Sequence, residues 1–152
     1  MLRAHKHWLP VLFWMALIFL VSTDVGSATH TSRIIEPLLR WVNPRISNDG
    51  LNLAHTVVRK GGHLTEYAIL ALLSLRAVLI DQRSRPAENF SRATAIALAV
   101  AVMYAASDEF HQSFVAARTS SIYDVGIDSL GATLALAVVS VGRMWHRRHA
   151  GA

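Results

Sequence analysis

Four apolar runs constrain this chain more than any other feature. They cover about Trp8–Val21, Leu64–Ile80, Ala93–Ala106 and Ile122–Met144, and the third contains AIALAVAVMYAA at 95–106, with no charge. A bilayer core of ~30 Å needs roughly 20 helical residues, and backbone groups in lipid must bond within their own helix. The four runs therefore predict an all-α integral membrane protein with four transmembrane helices, near residues 8–24, 62–80, 93–112 and 122–144. Runs three and four contain shorter uncharged stretches than a full span, so polar residues at their ends must complete the crossing. The composition, 53% hydrophobic and 16% charged, is more apolar than that of an ordinary soluble chain. A length of 152 residues predicts a single domain, 1–152.

The first run follows Arg3 and Lys6, and Ser27-Ala28 offers a weak signal-peptidase site. Three later apolar runs favour a retained first span over a cleaved leader. There is no cysteine, which excludes disulfides and thiolate metal sites. The net charge of +5 does not indicate nucleic acid, because the basic residues lie between apolar runs without interleaved aromatics. Membrane lipids are the expected partners, and the sequence leaves the oligomeric state open.

Orientation follows from Lys and Arg. The N-terminus, the loop between runs two and three, and the C-terminus together carry nine of the fifteen basic residues in short segments. The other side carries six (Arg33, Arg40, Arg45, Arg59, Lys60 and Arg118) across longer loops. The expected topology is N-in and C-in, in a bacterial cytoplasmic membrane. Trp8 and Trp145 suit the inner interface, and His5, His7, His146 and His149 are expected to be solvated in the tails. RIIEPLLRWV (33–42), in the loop after the first run, reads as a segment lying along the membrane surface.

Each of the last three runs turns polar at its outer end. Ala93, Ala97, Ala101 and Ala105 form a small-residue stripe that lets helices approach closely in lipid. On a helix, Asp108, Glu109 and Gln112 of SDEFHQSF (107–114) fall within about 60° of Ala105, so this polar group should face protein, with His111 flanking Asp108. Asp124, Asp128, Gly131 and Ala135 share a face of the last run. Lys60, His63, Tyr67, Ala71 and Ser74 share one on the second, bordered by Glu66. Ionisable groups in lipid are costly and normally meet a partner or a wet cavity. One shared, outward-opening polar pocket is the economical arrangement.

KGGHLTEYAIL (60–70) and SDEFHQSFVAARTSSIYDVGIDSLG (107–131) together resemble the VanZ-like membrane proteins. The likeness lies in Lys, His and Glu-Tyr at fixed spacing, followed by Asp-Glu, Gln, Phe, Arg, Asp, Asp and Gly. These motifs cover about a quarter of the chain, and the four-span layout extends the likeness over the rest. One departure is Ala116-Ala117, where many relatives have Pro-Gly before the arginine. The resemblance implies a role in the cell envelope and in resistance to glycopeptide antibiotics, notably teicoplanin. It implies no particular reaction.

The residues admit several kinds of chemistry. An anionic lipid or lipid-linked envelope precursor could be held by Lys60 and Arg118, by the Gly61 and Gly62 amides, and by helix N-termini at 62 and 122. The ligand-binding set is then Lys60, His63, Glu66, Asp108, Glu109, Gln112, Arg118 and Asp128. The structural counterpart is that Lys60 and Arg118 pair with carboxylates and hold the bundle. A hydrolase or transferase would draw on His63, Glu66, His111 and Asp128 as acid–base groups, and Ser107 and Ser113 lack a nucleophile elbow. His63, Glu66, Glu109, His111 and Asp128 are metal-capable types, but no HExxH or comparable signature is present, so no metal and no cofactor is expected. Asp124 fits a capping box with Ser121, and Tyr67 reads as packing with a satisfied hydroxyl. A transport path ranks last, because the charges are shallow and four spans leave little room.

Overall fold

The computed structural model describes residues 6–23, 28–81, 89–115 and 121–150. After one 3-10 turn at Lys6–Trp8 come five helices: α1 (Leu9–Ser22), α2 (Ala28–Val42), α3 (Asn48–Asp81), α4 (Asn89–Gln112) and α5 (Ile122–His149). There is no strand among the described residues. Among the described residues, three helical stretches, Asn48–Asp81, Phe90–Gln112 and Ile122–His149, are long and apolar enough to cross a membrane. The apolar stretch Lys6–Ser22 is shorter. It ends where Thr23 caps α1 in extended backbone, short of the roughly 20 residues a span needs.

The helix containing 62–80 begins well before the apolar run does. α3 starts at Asn48 and passes through Gly61 and Gly62 without interruption. A glycine pair lowers helix propensity by about 1 kcal/mol per residue, a cost too local to break a helix anchored on both sides. The consequence is chemical. The Gly61 and Gly62 amides lie mid-helix and are not free donors, and the N-terminus of α3 is far along the chain from His63.

α3 is the hub and packs against α5, α4, α1 and α2. The contacts run along i, i+4 ridges: His63, Tyr67, Ala71 and Leu75 on α3, Ala93, Ala97, Ala101 and Ala105 on α4, and Asp124, Asp128, Ala132 and Leu136 on α5 are all buried. These ridges incline to the helix axis. That inclination explains one departure from the expected faces: on α5 the interface follows Ala132 and Leu136, and Ala135 is only half-buried. α1 joins the bundle through Val11, Ile18 and Ser22. Outside the bundle, Leu12, Phe13, Met103, Val138 and Val141 are exposed. An apolar exterior of this extent is what a membrane protein presents to lipid.

The bundle end away from the polar cluster is fastened separately. Trp8 Nε1 donates to Asp81 Oδ2 at 2.8 Å, and His7 Nε2 lies 2.6 Å from Asp81 Oδ1. His7, expected in a solvated tail, is thus drawn onto the end of α3, with its side chain 13% exposed. The guanidinium of Arg143 sits 4.5 Å over the Phe90 ring and joins α5 to α4. His146 is exposed, and His149 is exposed and contacts the Trp145 carbonyl at 2.8 Å.

Candidate functional site

The polar site forms where the C-terminal ends of α1 and α4 meet the N-terminal end of α5 beside His63 of α3. The helical phase expected for α4 holds: Asp108, Glu109 and Gln112 are buried on the line of Ala93, Ala97, Ala101 and Ala105. Asp108 Oδ2 accepts from Gln112 Nε2 at 2.9 Å and from Ser22 Oγ at 2.7 Å. Ser22 is the contribution the sequence did not reveal, a fourth helix reaching the cluster. Its signal was the spacing Val11, Ile18, Ser22, which puts a hydroxyl on the buried face of α1. Ser22→Ala should lower stability by about 1 kcal/mol, read as reversible unfolding in detergent. Gln112 keeps Asp108 bonded in that variant, which limits the loss.

Glu109 ties α4 to the start of α5. Its Oε2 accepts the Ser121 backbone N–H at 2.9 Å. Ser121 is the N-cap of α5, and its side chain accepts from the Tyr123 N–H at 3.2 Å. The reciprocal half of the expected capping box therefore comes from Glu109, where the sequence suggested Asp124. Asp124 instead lies 3.8 Å from Lys60 Nζ, with the lysine side chain 43% exposed at the edge of the cluster.

The centre of the site is His63 and Asp128. His63 Nδ1 lies 3.2 Å from Asp128 Oδ1. The contact does not reach hydrogen-bond geometry, and both carboxylate oxygens of Asp128 lack a hydrogen-bond partner among the described residues. Asp128 is fully buried at 0% exposure. His63, Glu109 and Asp128 bring one ligand-capable atom each within 4.8 Å of one another. One turn beyond His63, Tyr67 is also fully buried, and its hydroxyl has no hydrogen-bond partner among the described residues, contrary to the expectation of a satisfied one. Buried polar groups normally have partners, which makes these atoms candidates for contact with a ligand, ion or water.

The remaining candidates divide. Glu66 is half-buried on α3, and its carbonyl accepts from Trp14 Nε1 at 2.9 Å. His111 stacks against Phe19 of α1, ring centroids 4.4 Å apart, and is not one of the three side chains that converge. Ser107 and Ser113 are exposed. Arg118, with the Ala116-Ala117 departure, lies outside the described residues. A groove of about 470 Å³ between α4 and α5, lined by Phe90, Leu98 and Arg143, sits at the opposite end of the bundle from this chemistry.

The approach of α3 to α5 sets the spacing of the central pair. A Cβ on Gly131 would meet the Leu64 carbonyl oxygen, and would lie 2.9 Å from both the Leu64 carbonyl carbon and Cα. Leu64 is the neighbour of His63, and Gly131 is one turn from Asp128. The missing side chain lets the two backbones come close enough for His63 and Asp128 to meet.

No curated protein and no solved structure matches this chain. A family model described as VanZ/LLP1 matches residues 7–143, which include α1, the whole polar cluster and most of α5. The chain belongs to the VanZ/LLP1 family.

Proposed function

We propose that this chain is a multi-pass protein of the bacterial cytoplasmic membrane that receives the headgroup of an anionic lipid or lipid-linked envelope precursor. In this reading it crosses four times with both termini inside, and the polar cluster faces outward. The main support is the assembly of His63, Asp108, Glu109, Gln112 and Asp128, buried at one end of an otherwise apolar bundle. Ionisable groups within membrane helices are costly unless they serve a ligand or pathway. α1 reaches the same end through Ser22, as a fourth crossing completed by polar ends would. The Lys and Arg asymmetry supports the orientation. Family membership supports an envelope role, and with it an influence on glycopeptide susceptibility, teicoplanin included.

Lys60 is the cation placed to meet a phosphate. At 3.8 Å its contact with Asp124 is loose, and its exposure lets it reach outward. Arg118 is the second cation of this reading. In α2, exposed Leu38, Trp41 and Val42 lie near the Glu36–Arg40 ion pair of 2.9 Å, a pattern suited to a helix lying on the membrane surface. Lys60→Ala and Arg118→Ala should each weaken lipid binding by several-fold to about tenfold, measured in nanodiscs doped with phosphate-bearing lipids. His111→Gln should bind as wild type does. Wild-type binding by both basic variants would remove this reading.

A second reading is favoured by one observation, the contact of His63 with a fully buried Asp128. It makes the protein a hydrolase or transferase acting on a lipid-linked phosphate or ester. His63 would take a proton from water or a hydroxyl, with Asp128 balancing the charge that develops on the imidazole. Turnover lost in His63→Ala, with helicity retained, supports it. A lipid profile unchanged by both deletion and overexpression of the gene counts against it.

A further inference from the structure

We propose that His63, Glu109 and Asp128 form a binding site for one divalent transition-metal ion of the zinc or manganese type. The three residues come from α3, α4 and α5, and each offers a ligand atom within 4.8 Å of the other two. One imidazole and two carboxylates are a donor set for such ions. Sequence motifs could not point to it, because the ligands lie on separate helices in no recognised spacing.

His63 Nδ1 and Asp128 Oδ1 are 3.2 Å apart yet do not reach hydrogen-bond geometry. Two ligands on a common ion, with bonds of roughly 2.0–2.1 Å in tetrahedral array, stand about 3.3 Å apart and point at a third position. The observed separation fits that arrangement.

Independently, the side chain of Asp128 is wholly buried, and neither oxygen has a hydrogen-bond partner among the described residues. A desolvated carboxylate in that condition is expensive unless a cation compensates it. Asp108, by contrast, has neutral donors in Ser22 and Gln112, and Asp124 has Lys60. A dication bound beside His63 would compensate the buried Asp128 carboxylate.

Metal-ligating carboxylates are commonly fixed by a hydrogen bond from outside the coordination sphere. Glu109 accepts the Ser121 N–H at 2.9 Å, which sets its direction from the first residue before α5. The ion would join α3, α4 and α5 at the level where they leave the apolar bundle. It would also present a positive centre to an incoming phosphate or activate a bound water. Metal binding does not depend on which lipid enters the site.

The test uses the full chain in detergent, stripped with a chelator, reloaded with Zn2+ and desalted. Metal content is read by mass spectrometry and affinity by calorimetry. About one zinc per chain is expected, with binding weakened more than about tenfold in Asp128→Asn and His63→Gln. His111→Gln, outside the triad, should load like wild type. Glu109→Gln keeps an oxygen for the Ser121 N–H, and serves where another variant fails to fold by circular dichroism. Zinc should raise the melting temperature of wild type and leave that of Glu109→Gln unchanged. No zinc above background, or equal loading of the triad variants and wild type, would overturn the proposal. A chain that loads zinc but binds no lipid defeats only the headgroup reading, and one that binds lipid but no zinc defeats only this one.

Discussion

Gly131→Leu should prevent the bundle from assembling, and Gly131→Ala should already be damaging. The Cβ of either variant would press on backbone, the Leu64 carbonyl group and Cα, where no side chain can rotate away. Relief requires α5 to move off α3, the helix it contacts most extensively. Overpacking costs about 1–3 kcal/mol where neighbours can yield, and the alanine variant should fall at or above the upper end. Any folded Gly131→Ala protein should also have the His63–Asp128 pair pulled apart, and so lose site function. Gly126 and Gly142 are controls, since a Cβ there meets nothing within 4 Å. Their alanine variants should be neutral or gain up to about 1 kcal/mol from helix propensity. Unfolding in detergent, followed by circular dichroism, separates the two classes. Equal behaviour at 126, 131 and 142 would show that the close helix approach is not there.

Asp128→Asn should abolish site function while leaving the helices intact. The substitution keeps the shape of a fully buried side chain but removes the charge that faces His63. The variant gives up the 3.2 Å contact with His63 but also a fully desolvated charge, so stability should hold or rise. Loss of function with preserved or increased melting temperature is the signature of a group kept for a ligand. In the headgroup reading, lipid association falls more than about tenfold, because a His63 imidazolium that meets the phosphate loses the carboxylate that balances it. Asp108→Asn should behave differently. Asp108 accepts from Ser22 and Gln112, so its neutralisation should mainly lower stability. A large stability loss in Asp128→Asn with function retained would mean that the pair is structural.

The parts of this fold legible in the sequence were those governed by helical phase. Alanines at every fourth position of α4 pointed to a close helix contact, and the same phase carried Asp108, Glu109 and Gln112 into the interior. His63 and Tyr67 were legible for the same reason. The first part of α3, residues 48–61, was not. Asn48, Asp49, Asn52 and His55 interrupt any apolar run, and a glycine pair suggests a break that the continuous backbone hydrogen bonding does not make. Ser22 looked like the fading end of an apolar segment, because a single hydroxyl carries no period. His111 lies beside Asp108 in sequence but about 120° from the Ala105 stripe, and that angle turns it toward Phe19. The borrowed cap, with Glu109 taking the Ser121 N–H, depends on two helices meeting. Local capping rules see only one of them.

Native mass spectrometry of the chain, purified from membranes without added lipid or metal, tests the central claim most directly. The account predicts a wild-type species carrying a phosphate-bearing lipid mass, lost in Asp128→Asn and reduced in Lys60→Ala. It would be contradicted by wild-type protein without bound lipid, or by lipid retained equally in all three proteins.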